Sequence, residues 1–156
     1  LTTVLNIATI FCFLLYLVFV VAPMSNFLHE LGHALGAILV KADKVKIMIG
    51  KGNKIKSIGT ERRMLDVNSW YFIGGLTESS RDKPFNKKEK ILILVFAPIF
   101  NGFVAIIFYF IFTFYPNIFV EIVIWYNLWL MLSNLIPFEW DGKQTDGYSI
   151  YKLMCK

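Results

Sequence analysis

PMSNFLHELGHALGAILV, residues 23–40, is the stretch on which the fold turns. It is apolar apart from His29, Glu30 and a few small polar residues. Its length is close to the roughly 20 residues that a helix needs to cross a bilayer. Three ionisable side chains sit near its middle, where each is costly unless they share a compensating partner. On a helix, residues four apart lie one turn along the same face, so His29 and His33 can reach one metal ion. Glu30, beside them, can accept a proton from water. Zinc suits this set, because it takes imidazole and carboxylate ligands and its catalytic sites keep a position for water. Iron and manganese are compatible with the same residues. A hydrogen-bonded polar cluster, as in a transporter or channel, is the competing account.

Working outward, three more apolar segments appear: about Val4–Ala22, Ile91–Tyr115 and Ile118–Pro137. With 23–40 they make four candidate spans. Helices of a soluble core seldom stay apolar around the whole circumference. The composition agrees: 56% hydrophobic and 17% charged, against about 25% charged in ordinary globular chains. The expectation is an all-α membrane protein of one domain, 1–156, with four transmembrane helices. Residues 1–22 lack a basic leading region and their apolar run is too long for a cleavable signal peptide. Cys12 and Cys155 form no C-x-x-C motif and are expected as free thiols.

Charge gives the topology. The net charge is +5, and 13 of the 16 Lys and Arg fall within 41–90. The other three, Lys143, Lys152 and Lys156, follow the last span. Basic residues beside apolar spans report orientation and contact with anionic lipid rather than nucleic acid. Four spans with a basic 41–90 loop put that loop and both termini in the cytoplasm. Within the loop, Val45, Ile47 and Ile49 alternate with Lys44, Lys46 and Met48, and Gly50-Lys51-Gly52-Asn53 supplies turn residues. This pattern predicts a β-hairpin between the second and third spans. Trp70–Ile73 reads as a further strand or an interfacial aromatic cluster.

Two histidines leave zinc short of a third protein ligand. Glu139, Asp141 and Asp146 follow the last span, beyond the helix-breaking Pro137. Either Asp-Gly pair, Asp141-Gly142 or Asp146-Gly147, is compatible with an ordinary turn. Asp146 precedes an amphipathic run through Tyr148, Ile150, Tyr151 and Leu153, whereas Asp141 looks like part of a solvated turn.

Three stretches then resemble the site-2 protease family of intramembrane zinc metalloproteases. They are Phe27–Ala34 around the H-E-x-x-H motif, Ala97-Pro98-Ile99-Phe100-Asn101-Gly102, and Asn134-Leu135-Ile136-Pro137 with a downstream Asp-Gly. They occur in the family's order. Ala97 stands where the family often has Gly, and the sequence contains no PDZ-like stretch. The resemblance implies a compact, bacterial-type member in the cell membrane, with a membrane-associated hairpin on the cytoplasmic side. It implies one zinc ion held by His29, His33 and a downstream aspartate. Thr145-Asp146-Gly147 looks like the longer-spacer variant of the family's last motif, which favours Asp146 over Asp141. It further implies Glu30 as base, Asn134 and Asn101 as candidates for contact with the substrate backbone or oxyanion, and membrane-spanning protein substrates cleaved within or near the bilayer. The alternative function is a non-proteolytic metal-binding transporter or sensor, which needs the histidines but not a base fixed between them.

Overall fold

The computed structural model describes residues 2–155. Leu1 and Lys156, which the charge pattern assigns to the cytoplasmic side, lie outside the described residues. The chain opens with helix α1 (Thr2–Tyr16), passes through a widened π turn (Leu17–Val21) and continues without a break into α2 (Ala22–Leu39). From sequence, Pro23 divides two spans; in the structure the helix runs through it. Proline has no N–H and its ring crowds the carbonyl four residues back. The Ala22 N–H bonds to Leu17 O, five residues back, so the ladder is widened just before the proline. Such an adjustment lets proline stay inside an apolar helix.

Among the described residues, three helices rather than four are long and apolar enough to cross a membrane: Ile7–Leu39, Lys87–Phe114 and Ile118–Leu135. The first has 33 residues. At ~1.5 Å per residue it is about 50 Å long, well over the ~30 Å hydrocarbon layer. A helix that crosses once carries its ends to opposite faces, so the four-span arithmetic that put both termini on one side no longer applies.

Helix α3 (Lys87–Phe114) starts a turn before its apolar run because Asn86 caps it. The Glu89 N–H donates to Asn86 Oδ1 (3.0 Å), and the Asn86 N–H donates back to Glu89 Oε2 (2.8 Å). Arg81 pairs with the same carboxylate at 2.9 Å. Helix α4 (Ile118–Leu135) is capped by Asn117 and ends where Ile136 turns extended ahead of Pro137.

Between α2 and α3 lie two long, bent, antiparallel strands, β1 (Lys44–Gly59) and β2 (Arg63–Ser80). A hairpin is present in this loop, but its reversal falls at 60–62: Gly50–Asn53, expected as the turn, and Ile55 and Ile58, expected on the return strand, all lie within β1, and Trp70–Ile73 belongs to the second strand. Gly50 and Gly52, in the expected turn, both have positive φ, and β1 bends there. Its first half is paired on both sides by β2: Val45 lies opposite Ser79 and Arg63, Ile47 opposite Thr77 and Leu65. Its second half, from Lys54 to Gly59, pairs with Asn68 back to Met64. The run through Gly75–Thr77 therefore lies at one edge of the sheet. Val45, Ile47 and Ile49, all buried, pack on Ala34, Ala37 and Ala42 with Phe27 and Leu31 alongside.

Helices α2 and α3 meet through glycines of the motif-bearing helix. A Cβ at Gly32 would sit 2.6 Å from Ala97 Cα, and one at Gly36 would sit 3.0 Å from Ile93 Cα. Small residues four apart let helix backbones approach closely. That contact sets Ile93 and Asn101 of α3 against the face of α2 that carries both histidines. After α4, a short hairpin of β3 (Glu139–Trp140) and β4 (Lys143–Gln144) leads into α5 (Asp146–Met154).

Candidate metal centre

One helix, α2, and the start of another, α5, bring the imidazole and acidic groups together. His29 Nε2 lies 3.1 Å from Asp146 Oδ2, and His33 Nε2 lies 3.2 Å from Asp146 Oδ1. The three ligand atoms fall within 4.8 Å of one another, and Glu30 is not part of that group. All three side chains are about nine-tenths buried.

The hydrogen bonds fix the tautomer of each ring. His33 Nδ1 is 3.0 Å from the Ile93 carbonyl, which can only accept. His29 Nδ1 is 2.7 Å from Asn101 Oδ1. In the neutral imidazoles the hydrogen therefore sits on Nδ1, and both Nε2 lone pairs point at the Asp146 carboxylate. Lone pairs facing a carboxylate repel unless a cation lies among them. Asp146 Oδ2 is indeed buried without a hydrogen-bond partner among the described residues, so its 3.1 Å approach to His29 lacks hydrogen-bond geometry. Two bare imidazole nitrogens and a buried carboxylate form a donor set that fits a divalent metal such as zinc.

The two Asp-Gly pairs, equivalent in sequence, differ in structure. Asp141 (φ 49°) and Gly142 (φ 73°) form the two-residue tip between β3 and β4, and Asp141 is exposed. Tight hairpins need positive φ at both central residues, which Asp-Gly supplies. Thr145-Asp146-Gly147 is built otherwise. The Thr145 hydroxyl donates to Ile136 O (2.7 Å) and accepts the Tyr148 N–H (3.2 Å), tying the end of α4 to the start of α5. A Cβ at Gly147 would sit 2.1 Å from Leu135 O, so only glycine lets α5 come this close. Asp146, between them, is aimed at the histidines. Glu139, the remaining candidate ligand, is exposed.

Glu30 is buried, and its Oε2 has no hydrogen-bond partner among the described residues. The hairpin edge holds it in place. Thr77 Oγ1 donates to Glu30 O (2.9 Å), and a Cβ at Gly75 would lie 2.6 Å from Glu30 Cγ. A cavity of about 390 Å³ opens on this spot, lined by His29, Glu30, His33 and Asp146, by Gly75–Thr77 of the sheet edge, and by Asn134.

The two asparagines expected at the substrate part company. Asn134 lines the cavity and donates to Leu130 O (3.0 Å). Asn101 is fully buried, and its amide is used on His29, Ser25 and Asn127. Both of its N–H groups are taken, and its oxygen faces the His29 ring, whose other nitrogen points at Asp146. Sequence reasoning missed Asn127 altogether. Its only signal was a lone amide in the apolar run Ile124–Met131, which is costly in a membrane helix without partners.

A family model described as peptidase family M50 matches residues 12–118. The match covers His29, Glu30, His33 and Asn101 and ends before Asn134 and Asp146. No curated protein matches the chain.

Proposed function

The chain belongs to peptidase family M50, the site-2 protease family of membrane metalloproteases, and from that premise we propose a zinc-dependent endopeptidase that cuts membrane-spanning segments of other proteins. The observation that carries this reading is the convergence of His29, His33 and Asp146 beside Glu30, their side chains largely buried and opening on one cavity. His29 and His33 would hold the metal through Nε2, and Asp146 through its carboxylate. Once bound, zinc supplies Lewis acidity, polarising a carbonyl and lowering the pKa of water toward about 7.

The chain's own residues supply the rest. Glu30, with one carboxylate oxygen unpartnered, takes the proton of the attacking water and delivers it to the leaving amine. The close seat against Gly75 keeps that carboxylate in one position. Asn134, at the cavity wall, is available to bond a substrate carbonyl or its developing oxyanion.

A helical substrate hides its carbonyls, so it must unwind before attack. The run Gly75–Thr77 lies at the sheet edge and lines the cavity with Glu30. An extended substrate segment laid along that edge would gain strand hydrogen bonds and bring a peptide bond to the site. The rival reading, a metal transporter or sensor, accounts for the three ligands but gives no role to a buried carboxylate held between them.

The whole of 1–156 acts as one domain in this reading, in contact with lipid along its exposed apolar helix faces. The basic 41–90 loop and α5 lie on the cytoplasmic side. The single long helix then carries the start of α1 to the outer side, in place of the two cytoplasmic termini that four spans would give. The test is a cleavage assay with the purified chain in detergent or nanodiscs and candidate transmembrane peptides. Activity should vanish on chelation and return with zinc. Cleavage that survives complete metal removal would overturn the proposal.

A further inference from the structure

Three polar residues are buried where α2, α3 and α4 meet: Ser25 at 2% exposure, Asn101 at 0% and Asn127 at 0%. Buried amides are costly unless bonded, and these are bonded throughout. Asn127 Nδ2 donates to Val123 O (2.9 Å) and to Ser25 Oγ (2.9 Å). Its Oδ1 accepts from Asn101 Nδ2 (2.8 Å). Asn101 Nδ2 also reaches Ser25 O (3.3 Å), and its Oδ1 faces His29 Nδ1 (2.7 Å). The Val123 and Ser25 carbonyls can only accept, so neither amide can be turned around without losing its partners.

We propose that Asn127 is a positioning residue for the metal centre, locking the Asn101 amide so that its oxygen, not its nitrogen, faces His29. This rests on the zinc-site reading given above. If Asn101 turned over, its NH₂ would face His29 Nδ1 and force the ring hydrogen onto Nε2. The nitrogen aimed at Asp146 would then be a donor, unable to bind a metal. Asn127 forbids that state, because its own Oδ1 would meet the Asn101 oxygen. The contact at Ser25 O is the longest in the network and is a weak lock by itself. Asn127 thus connects α4, which contributes no metal ligand, to the tautomer of a ligand on α2. Partners that orient a ligating imidazole commonly matter 10–100-fold to metal affinity.

The test uses the full chain in nanodiscs: native protein, Asn127→Leu, Asn127→Asp and Ile124→Ala. Zinc affinity is read by chelator competition, and the His29 tautomer by ¹⁵N NMR of the metal-free protein. Asn127→Leu removes the lock at similar volume and should lose about 10–100-fold in affinity, whereas Asn127→Asp, held as the neutral acid at this depth so that its O–H replaces the donor to Val123 O, keeps an oxygen toward Asn101 and should lose clearly less than the Leu variant. Ile124→Ala, a buried change on the same helix, should lower thermal stability and leave affinity unchanged. His29 should carry its hydrogen on Nδ1 in the native protein and populate both tautomers in Asn127→Leu. If Asn127→Leu does not fold, Asn127→Ser, too short to reach Asn101, takes its place with the same expectations. Native affinity and a single tautomer in the Leu or Ser variant would overturn the proposal, as would an equal loss in Asn127→Asp. If the native chain itself binds no zinc, the metal reading fails, and the tautomer measurement still decides whether Asn127 sets the ring.

Discussion

Gly147→Ala adds one methyl group at the point where α5 passes the end of α4. The new Cβ would sit 2.1 Å from Leu135 O, 2.6 Å from Leu135 C and 3.0 Å from Ile136 C. Ordinary contact begins near 3.4 Å, so the nearest approach is more than 1 Å too short. All three obstacles are backbone atoms at the end of a helix, which cannot swing aside as a flexible side chain would. Relief comes from moving α5, and Asp146 is the residue beside the clash. Metal sites hold their ligands to within roughly 0.2 Å, so a shift of about 1 Å takes the carboxylate out of range. Zinc affinity should fall at least about 100-fold, the upper end for lost second-shell support, because here a ligand itself is displaced. Gly142→Ala is the control: nothing lies within 4 Å of its Cβ, and only its positive φ (73°) is strained. It should lose roughly 1 kcal/mol of stability and keep zinc. Chelator competition on the two purified variants measures both. Native zinc affinity in Gly147→Ala, or equal damage from Gly142→Ala, would refute the assignment of Asp146 over Asp141.

Gly75→Ala drives a methyl group into Glu30 Cγ and should cut cleavage by at least about tenfold while zinc binding stays native, since Gly75 touches the base and not the ligands; a loss of zinc would mean the sheet edge supports the ligands instead. Asp66 is buried on β2, and the Ser57 hydroxyl, followed by Lys46 and Lys54, holds its carboxyl below the ordinary aspartate range. A lowered folded pKa gives stability that is present above about pH 4 and lost as pH falls through the lowered value. Hairpin amides should therefore exchange faster below that point, and Asp66→Asn should abolish the pH step; a step that persists in the variant assigns it to another group. In a chain with Cys12 and Cys155 replaced by serine, cysteines at Lys51 and Lys87 should resist impermeant thiol reagents in intact cells, while those at Thr2 and Asn117 should react. Shielding at Thr2 with labelling at Asn117 would restore the two cytoplasmic termini.

Much of the centre was legible because its chemistry is local. H-E-x-x-H on a helix fixes two imidazoles and a carboxylate by spacing alone, and depth in an apolar run marks them as more than surface charges. The first half of β1 was legible from alternation, since Val45, Ile47 and Ile49 had to share a face, but Gly50 and Gly52 mark a bend inside the strand and not the turn that glycines there suggest. Pro23 misled because proline usually ends a helix; the π turn before it depends on the backbone and leaves no residue-type signature. The choice between Asp141 and Asp146 depended on two glycines with opposite reasons for being glycine. Gly142 needs a positive φ, whereas Gly147 needs to have no Cβ, and sequence cannot tell the two apart. Asn101 carried a family-like pattern, but its partners lie 72, 76 and 26 residues away. No local pattern could reveal that it faces His29 and not the cavity, or that it is bonded to Asn127.

The central claim is that Glu30 is the base of a zinc-dependent protease whose metal is held by other residues. The direct measurement is zinc content and peptide cleavage on the same preparation of Glu30→Gln, beside the native chain. Glutamine keeps the shape and fits the seat against Gly75 but cannot take a proton. One zinc per chain should remain, and cleavage should fall by about 10²–10⁴-fold. A Glu30→Gln protein that cleaves at the native rate, or that has lost its zinc, would contradict the account.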